Sequence, residues 1–372
     1  MEGMGLMKKG VMSNYRNKNV FITGHTGFKG SWLSLWLSKA GANVFGYSLA
    51  PDSIPNNYSV SSVPDLLSGE TIADICDEKT LKNAFREADS DFVFHLAAQT
   101  LVRRSYYCPI KTFEINVIGS LNVLECLRER GQPCSVVMVT SDKCYENKGQ
   151  VWGYREKDSL GGYDPYSGSK AASEIAISSY RNSFFPLENL DDHGVCIATV
   201  RAGNAIGGGD WAEDRIIPDA VRALSNGRTV PVRNPNAIRP WQHVLEPLSG
   251  YLMLGAKMLQ DKSPELCSAW NFGPRCGEEC TVSDLMDRFC NEWRGGKWEQ
   301  VSAVDAPHEA SVLRLSIDKA IHELHWVPRW DLGEAIKKTA AWYKKYYGKS
   351  AESMQDACFA DIEDYMKKDH EN

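Results

Sequence analysis

Residues 19–49 read NVFITGHTGFKGSWLSLWLSKAGANVFGYSL, and this stretch decides the fold. An apolar run at 19–23 leads directly into Gly24, Gly27 and Gly30, after which a helix-forming run and a second strand-like run follow. Glycines three apart let the chain turn sharply after a strand and let its backbone approach a pyrophosphate at the helix N-terminus. The stretch therefore predicts the first strand, loop, helix and strand of a dinucleotide-binding fold.

The same alternation continues downstream. Strand-like runs GETIA at 69–73, DFVFHLAAQ at 91–99, VVMV at 136–139 and VCIATVRA at 195–202 are separated by helix-forming segments, of which 110–130 is the longest. Alternating strands and helices predict an α/β fold, a Rossmann-type doubly wound parallel sheet, with a smaller C-terminal substrate-binding lobe. We place an N-terminal extension at 1–17, the dinucleotide-binding domain at 18–200 plus returning segments, the substrate-binding lobe mainly at 201–345 and a tail at 346–372.

Composition excludes several classes of protein. The 372 residues carry a formal net charge of −6, which argues against a general nucleic-acid binder. Eleven cysteines show no CxxC pair or other metal-ligand spacing, so we expect reduced thiols, a cytoplasmic location and no metal. No apolar run approaches the roughly 18 residues of a membrane span, and we expect the N-terminal extension to be loose.

The glycine loop predicts where a cofactor lies. A ribose 2′-hydroxyl is usually held by an acidic residue about 20 positions after the loop, but here the second strand ends in Tyr47-Ser48-Leu49, and Asp52 comes slightly late. No basic cluster indicates NADP either. Asp74 and Ile75 are candidates to border an adenine, although an acid after a strand is often a helix cap. The cofactor-binding residues that we predict are Gly24, Thr26, Gly27, Phe28, Gly30, Asp74, Ile75, Leu96, Ala97, Ala98, Tyr166 and Lys170.

Two segments supply candidate catalytic residues. The apolar run at 136–139 ends in Thr140, Ser141, Asp142 and Lys143, where a buried parallel strand leaves its sheet. Tyr166 and Lys170 lie four apart at the start of a predicted helix and so share one face. A nearby ammonium and a cofactor's positive charge favour the phenolate of such a tyrosine, which can then take a proton from an alcohol. A Tyr-x-x-x-Lys spacing also arises by chance on surface helices.

The second lobe carries arginines that could bind a phosphorylated ligand. Arg215, Arg233 and Arg239 lie in one lobe of an acidic protein, and guanidinium groups bind phosphate oxygens bidentately, although each could equally be an ordinary surface arginine. We expect Trp241 to belong to the core. Asn116, a polar residue in the long helix at 110–130, is expected to bond to main chain near the active site.

These residues stand within longer motifs that resemble the extended short-chain dehydrogenase/reductases, and among them the CDP-glucose 4,6-dehydratases. The resemblance covers about residues 18–345. It rests on TGHTGFKGSWLSLWL at 23–37, HLAAQTLVRRSY at 95–106, TSDKCYEN at 140–147, WGYRE at 152–156, YDPYSGSK at 163–170, RAGNAIGGGDWAEDRIIP at 201–218 and RNPNAIRPWQHVLEPLSGYL at 233–252.

The resemblance implies tightly held NAD and conversion of CDP-glucose to CDP-4-keto-6-deoxyglucose, a precursor of deoxysugars in surface polysaccharides. Tyr166, with Lys170 and Ser141, would take the C4 hydroxyl proton, and Asp142 would protonate the departing C6 oxygen. It also implies a homodimer through the helices near 110–130 and 167–184, which could pair into a tetramer. The substrate contacts that we assign are Gln99, Arg104, Asn204, Arg215, Arg233, Arg239 and His308, of which Asn204, Arg215 and Arg239 would hold the diphosphate.

One departure from the wider dehydratase group concerns Lys143. The dTDP-glucose enzymes have Asp-Glu where this chain and the CDP-glucose members have Asp-Lys. A lysine serves as a base only if burial or neighbours hold it neutral, so Lys143 could instead orient the sugar. Gly168 replaces a more usual Asn or Ser, and we expect this to be tolerated.

Three other functions remain open at this point. A nucleotide-sugar 4-epimerase would need Tyr166, Lys170 and Ser141 but not Asp142-Lys143. A dehydratase acting on another nucleotide hexose would share the whole constellation. A catalytically silent NAD-sensing protein on the same scaffold would be expected to lose the Tyr/Lys pair, which this chain keeps.

Overall fold

The computed structural model describes residues 10–293, 295–301, 312–348 and 353–367. The strands, in chain order, are β1 Asn19–Thr23, β2 Asn43–Ser48, β3 Gly69–Ile72, β4 Phe92–His95, β5 Cys134–Val139, β6 Val195–Ala202, β7 Ala205–Ile206, β8 Val230–Val232, β9 Ile238–Arg239, β10 Gln242–His243, β11 Ala269–Phe272, β12 Cys280–Thr281 and β13 Trp298–Gln300.

The α-helices are α1 Gly10–Ser13, α2 Phe28–Lys39, α3 Asn57–Val60, α4 Glu78–Ala88, α5 Val102–Tyr107, α6 Pro109–Phe113, α7 Gly119–Arg130, α8 Pro165–Phe184, α9 Leu190–His193, α10 Ile216–Leu224, α11 Leu245–Asp261, α12 Val282–Glu292, α13 Leu332–Tyr347 and α14 Met354–Lys367. Short 3-10 turns lie at Val63–Leu66, Asp142–Cys144, Leu187–Asn189 and Pro264–Leu266.

Seven strands form one sheet in the order β11-β6-β5-β4-β1-β2-β3. Every neighbouring pair in it is parallel. The order reverses between β1 and β4, and in sheets of this kind ligands bind outside the carboxyl ends of the strands at that reversal. The prediction of a Rossmann-type doubly wound sheet is confirmed.

The central strands of the sheet are buried on both faces, which explains why they read as continuous apolar runs, whereas the edge strand β3 is partly exposed. All eight residues of β6 are buried. One large apolar cluster joins the sheet to α2 and α11 through Trp32, Leu35 and Leu248. A second cluster joins the opposite face to α4, α7 and α8. The carboxyl ends of the strands are thereby held on a rigid support.

The chain after β6 builds the smaller lobe. Three two-stranded pairs, β10 with β7, β12 with β9 and β13 with β8, stand apart from the main sheet. Between them β11 pairs with β6 in the main sheet. The smaller lobe is thus connected to the sheet at β6 and at β11, and it faces the carboxyl ends of the strands.

The two ends of the chain pack more closely than the sequence indicated. Tyr15, in the segment that we expected to be loose, is fully buried and its hydroxyl donates to Leu252 O at 2.6 Å. Helix α14, within the polar tail, buries Cys358 and Tyr365, and the Tyr365 hydroxyl donates to Glu246 Oε2 at 2.6 Å. The composition of each segment is polar, but a few large side chains dock it.

The long helix expected at 110–130 is interrupted. Helix α6 passes into a π-helical segment, Glu114–Ile118, before α7 begins. Such π segments are frequent at functional sites because they redirect side chains. Asn116, inside this segment, is buried, and the next section gives its contacts.

Within the described ranges, the search for helices long and apolar enough to cross a bilayer finds none. The same part of the chain holds no group of three or more His, Cys, Asp or Glu side chains placed to ligate a metal ion.

Candidate active site

The glycine loop makes a tight turn that other residues could not make. Gly24 has a φ of +78°, and a Cβ there would stand 2.7 Å from Ala97 N. A Cβ on Gly30 would stand 2.0 Å from Gly24 O. Gly27 is the N-cap of α2, so the loop leaves the first N–H groups of that helix exposed at the switch point of the sheet. This backbone cradle fits a dinucleotide pyrophosphate.

The end of β2 is tied to this loop by hydroxyl groups. Thr26 Oγ1 lies 2.9 Å from Ser48 Oγ and donates to Leu49 O at 2.8 Å. Asp52, just beyond, forms an ion pair of 3.6 Å with Arg104. Arg104 therefore lies beside the cofactor end of the cleft rather than among the other arginines.

Asp74 and Ile75 border the far end of the same cleft. Asp74 Oδ1 accepts from Cys76 N, and Lys111 Nζ lies 3.4 Å from Asp74 Oδ2. Burial raises the pKa of Asp74, but the hydrogen bond from Cys76 N and the charge of Lys111 outweigh it and lower that pKa overall. The helix cap of α4 is instead Asp77. Both predicted adenine neighbours line the cleft.

The carboxyl end of β5 presents Ser141 and Asp142. Ser141 Oγ donates to Asp142 Oδ1 at 3.1 Å and accepts from Lys143 N at 3.2 Å. Asp142 is 2% exposed, and its Oδ2 is a buried atom without a hydrogen-bond partner among the described residues. An unsatisfied carboxylate oxygen at the centre of a cleft is available to a ligand.

Tyr166 and Lys170 lie on the first turns of α8. This helix begins at Pro165, and Asp164 caps it by accepting from Ser167 N at 2.9 Å. Burial raises the pKa of Tyr166 to about 12, while the Ser141 hydroxyl and the charge of Arg215 lower it. The sequence predicts that Lys170 and a cofactor's positive charge together favour the phenolate; in the chain itself burial is the largest effect, and the phenol is neutral.

Lys170 is also buried, and its Nζ donates to Val139 O at 3.4 Å. Burial and the charge of Lys29 lower the pKa of Lys170 to about 8, against the charge of Glu174. Lys29 is a residue that the sequence analysis missed. Burial lowers its pKa to about 8 as well, and Asp142 opposes this effect. The glycine motif predicts that the backbone of the loop approaches a cofactor. The spacing of its glycines does not indicate that a lysine between them faces the catalytic residues.

Lys143 is less enclosed than a lysine base requires. Its side chain is 30% exposed, and its Nζ lies 4.0 Å from Asp142 Oδ1. A role for Lys143 in orienting the sugar therefore agrees better with its position than proton removal does.

The second lobe brings its arginines to the same cleft. Arg215 Nη1 lies 2.8 Å from Asp210 Oδ2, and its Nη2 donates to Thr100 Oγ1 at 3.1 Å. Arg233 forms an ion pair of 2.9 Å with Asp214. Arg239 is buried and donates to Ile238 O. Trp241 is buried in the core, as expected.

Asn116 fixes the loop after β4, as the sequence predicted. Its Oδ1 accepts from Gln99 N at 2.9 Å, and its Nδ2 donates to Gln99 O and to Ser169 Oγ. The Gln99 side chain lines the cleft, but its amide already bonds to Leu101 and Thr112. Gln99 thus holds the shape of the loop.

All of these groups open into one cleft of about 2000 Å³ between the sheet and the smaller lobe. Of the site residues predicted from sequence, the described ones all line it, and His308 lies outside the described residues. The cleft contains Gly24, Thr26, Gly27, Phe28, Gly30, Asp74, Ile75, Leu96, Ala97, Ala98, Gln99, Arg104, Ser141, Asp142, Lys143, Tyr166, Lys170, Asn204, Arg215, Arg233 and Arg239.

Comparison with known proteins gives close relatives. The chain is 46% identical over 352 residues to a CDP-glucose 4,6-dehydratase of Salmonella typhimurium, covering 95% of this chain and 97% of that protein. It is 29% identical to a dTDP-glucose 4,6-dehydratase of Streptomyces antibioticus, covering 88% of this chain and 92% of that one.

Among solved structures, the dTDP-glucose 4,6-dehydratase DesIV of Streptomyces venezuelae, with NAD and TYD bound, superposes with a TM-score of 0.74 at 23% identity. It matches over 89% of this chain and 98% of that one. The family model described as GDP-mannose 4,6 dehydratase matches residues 21–339. The chain therefore belongs to the GDP-mannose 4,6 dehydratase family.

Proposed function

We propose that this chain is an NAD-dependent CDP-glucose 4,6-dehydratase, which converts CDP-glucose to CDP-4-keto-6-deoxyglucose and water. The observation that carries the proposal is Asp142, a buried carboxyl group whose Oδ2 has no hydrogen-bond partner in the part of the chain that the structure describes, set in the same cleft as Tyr166 and Lys170. A 4-epimerase needs the tyrosine and the lysine but no acid beside them. The relative at 46% identity supports the nucleotide.

The cofactor is held by the glycine cradle at one end and by the residues after β3 and β4 at the other. When bound, NAD supplies a positively charged nicotinamide ring that takes a hydride from the sugar C4 and returns one to C6. The loop Gly24–Gly30 would hold its pyrophosphate, and Asp74 and Ile75 would border its adenine. Net redox change is zero, so NAD would have to stay bound and shielded from water throughout.

Tyr166 is the base for the first step. Its phenolate removes the proton of the C4 hydroxyl, and Ser141 donates a hydrogen bond at the same oxygen. Burial holds Tyr166 as a phenol in the chain itself, so positive charge must favour its ionisation when the ligands are bound. Arg215 and a protonated Lys170 are placed to provide it.

Asp142 is the acid for the second step. Once C4 is a ketone, the proton on C5 is acidic, and the Asp142 carboxylate can take it and pass it to the C6 oxygen, so that the C6 hydroxyl leaves as water and a C5–C6 double bond forms. Asp142 Oδ2, which has no hydrogen-bond partner among the described residues, is the atom that can carry this proton. When the hydride returns to C6, C5 takes the proton that the Tyr166 phenol holds from the C4 hydroxyl. Lys143, beside it, orients the sugar hydroxyls.

The arginines of the smaller lobe hold the nucleotide diphosphate. Arg215 and Arg239 present guanidinium groups to the cleft, and Asn204 lies on the same wall with its Oδ1 unsatisfied among the described residues.

We propose a cytoplasmic location for the protein. All eleven cysteines are free of disulfide bonds in the structure, which agrees with a reducing compartment.

We infer a homodimer from the surface of two packed helices. Ile110, Phe113 and Ile118 are exposed along α6 and the π segment, and Ile175 and Phe184 are exposed along α8. Large apolar side chains gathered on adjacent helices mark a protein interface. Replacing both Ile118 and Ile175 with Glu would place charge on each partner's half of a two-fold contact.

The double variant Ile118→Glu/Ile175→Glu is expected to run as a monomer in size-exclusion chromatography with light scattering, whereas the wild type runs as a dimer. Val327→Glu, an exposed apolar position elsewhere, is the control and should leave the dimer intact. A dimer that survives the double change would move the interface to another surface.

The nucleotide is tested by comparing CDP-glucose with dTDP-glucose, each supplied with NAD. We expect kcat/KM for CDP-glucose to exceed that for dTDP-glucose by about 10²-fold or more, since specific contacts to a base edge are lost with the wrong nucleotide. Equal kcat/KM values for the two substrates would agree with the dehydratase reaction but would contradict the assignment of CDP as the nucleotide. A product that keeps its water and differs only at C4 would make the chain an epimerase.

A further inference from the structure

Glu174 is a buried charged residue that the reaction described above does not use. It lies on α8 four residues after Lys170 and eight after Tyr166, so the three side chains share one face of the helix. Glu174 is 4% exposed, and it is not among the residues that line the cleft. It therefore stands directly behind the catalytic pair.

Both carboxylate oxygens of Glu174 are saturated with hydrogen bonds. Oε1 accepts from Thr140 Oγ1 and from Arg201 Nε, the latter at 2.9 Å. Oε2 accepts from Thr199 Oγ1 and from Arg201 Nη2, each at 2.8 Å. Burial raises the pKa of Glu174, but the charge of Arg201 and these hydrogen bonds hold it below its ordinary value. The group is a fixed anion with four donors around it.

These donors come from the strands that carry the other half of the site. Thr140 directly precedes Ser141 and is anchored to β6 by its own N–H, which donates to Val200 O at 3.0 Å. Arg201 also donates to the Tyr145 hydroxyl at 2.9 Å, and Tyr145 follows the turn that contains Asp142. Glu174 thus contacts the chain before the Ser141–Asp142 segment directly, through Thr140, and the chain after it through Arg201.

We propose that Glu174 is a positioning residue, which holds the helix of Tyr166 and Lys170 in register with the Ser141–Asp142 end of β5. Tyr166 and Lys170 come from α8, whereas Ser141 and Asp142 follow β5. The described contacts place the Glu174 carboxylate between these two parts of the site. The inference rests on the proposed function for its kinetic consequences. A displacement of the reacting groups by about 1 Å can slow a reaction about 10²-fold, so loss of the Glu174 contacts should have a measurable effect on kcat.

The charge of Glu174 has a second consequence, for Lys170. The titratable groups that face Lys170 are Tyr166 and Glu174 on its own helix, Lys29 on α2, His95 on β4 and Cys144 in the turn after β5. The negative charge of Glu174 favours the ammonium form, whereas burial and Lys29 oppose it. Removing that charge lowers the pKa of Lys170 further below about 8.

The sharpest test compares Thr140→Val with Thr199→Val. Each change removes one hydroxyl that donates to Glu174 from a buried position, and valine keeps the shape. Both variants should lose a similar amount of thermal stability. Only Thr140→Val removes the Glu174 contact beside Ser141, although the backbone bond to Val200 O remains, so only that variant should lose kcat, by about 10-fold to 100-fold, with KM little changed.

Hydrogen–deuterium exchange of the full chain without substrate provides an independent readout. We expect faster exchange of the amides of residues 141–145 in Thr140→Val and wild-type exchange there in Thr199→Val. This measurement needs no turnover. If the wild type fails to dehydrate CDP-glucose, the proposed function is overturned, and the exchange rates alone then test whether Glu174 positions residues 141–145.

Glu174→Gln tests the charge. If the variant folds, the alkaline limb of its kcat profile should move to lower pH, because activity needs a protonated Lys170 and that proton is lost sooner. Glu174→Asp keeps the negative charge and should return the alkaline limb part of the way to its wild-type pH. The proposal is overturned if Thr140→Val retains wild-type kcat and exchange, or if the two valine variants lose activity equally.

Discussion

Tyr166→Phe is expected to lower kcat by about 10³-fold and to leave KM for CDP-glucose nearly unchanged. The change removes a single buried oxygen, and the ring keeps its packing because Tyr166 is only 7% exposed. That oxygen is the base that takes the C4 proton, so the loss falls on the transition state rather than on binding. Steady-state kinetics by mass spectrometry of the product would measure both parameters.

Tyr107→Phe is a suitable control for this experiment, since Tyr107 is exposed and does not line the cleft. It should keep wild-type kcat. Full turnover by Tyr166→Phe would contradict the proton-transfer role and, with it, the reason for placing Lys170 and Ser141 beside the sugar.

Asp142→Asn is expected to separate the two halves of the reaction. Asparagine keeps the shape and can still accept from Ser141, but it cannot donate a proton to the leaving oxygen as a carboxylic acid does. We expect the loss of water to slow by about 10²-fold to 10⁴-fold, whereas C4 oxidation continues. The 4-keto sugar that still carries its C6 hydroxyl should then accumulate.

Borodeuteride trapping measures this species, because reduction of the ketone adds one deuterium at C4 and mass spectrometry detects it. Asp65→Asn, an exposed position in a 3-10 turn, should behave as wild type. Dehydration at the wild-type rate in Asp142→Asn would assign the acid to another group.

Much of the fold could be predicted because its signals are local. Gly24 and Gly27 lie between β1 and α2, Gly30 lies in the first turn of α2, and apolar runs such as that of β1 form buried strands. Tyr166 and Lys170 share a face of α8 because four residues make about one helical turn. Ser141 and Asp142 follow β5, as the end of an apolar run indicates.

The features that were missed depend on contacts distant in sequence. Glu174 binds Arg201 across 27 positions, and no local pattern marks such a pair. Lys29 faces Asp142 only because the sheet brings β1 near β5. The docked terminal segments depend on single large residues such as Tyr15 and Tyr365, whose burial is decided by the surface opposite them.

The pKa of Tyr166 shows the same limit. The sequence predicts that a lysine one turn away and a cofactor's positive charge favour the phenolate, but it gives no measure of burial, which raises this pKa to about 12 in the chain itself. Spacing along a helix gives the neighbour, whereas the depth of the site decides which effect is larger.

The central claim is that the sugar is oxidised at C4, dehydrated across C5 and C6, and reduced at C6 within one cleft. CDP-glucose carrying deuterium at C4, incubated with the protein and NAD, tests it most directly by mass spectrometry and NMR. The account predicts a product that has lost one water and carries the deuterium in a new 6-methyl group. A product that keeps its water, with deuterium still at an inverted C4, would contradict it.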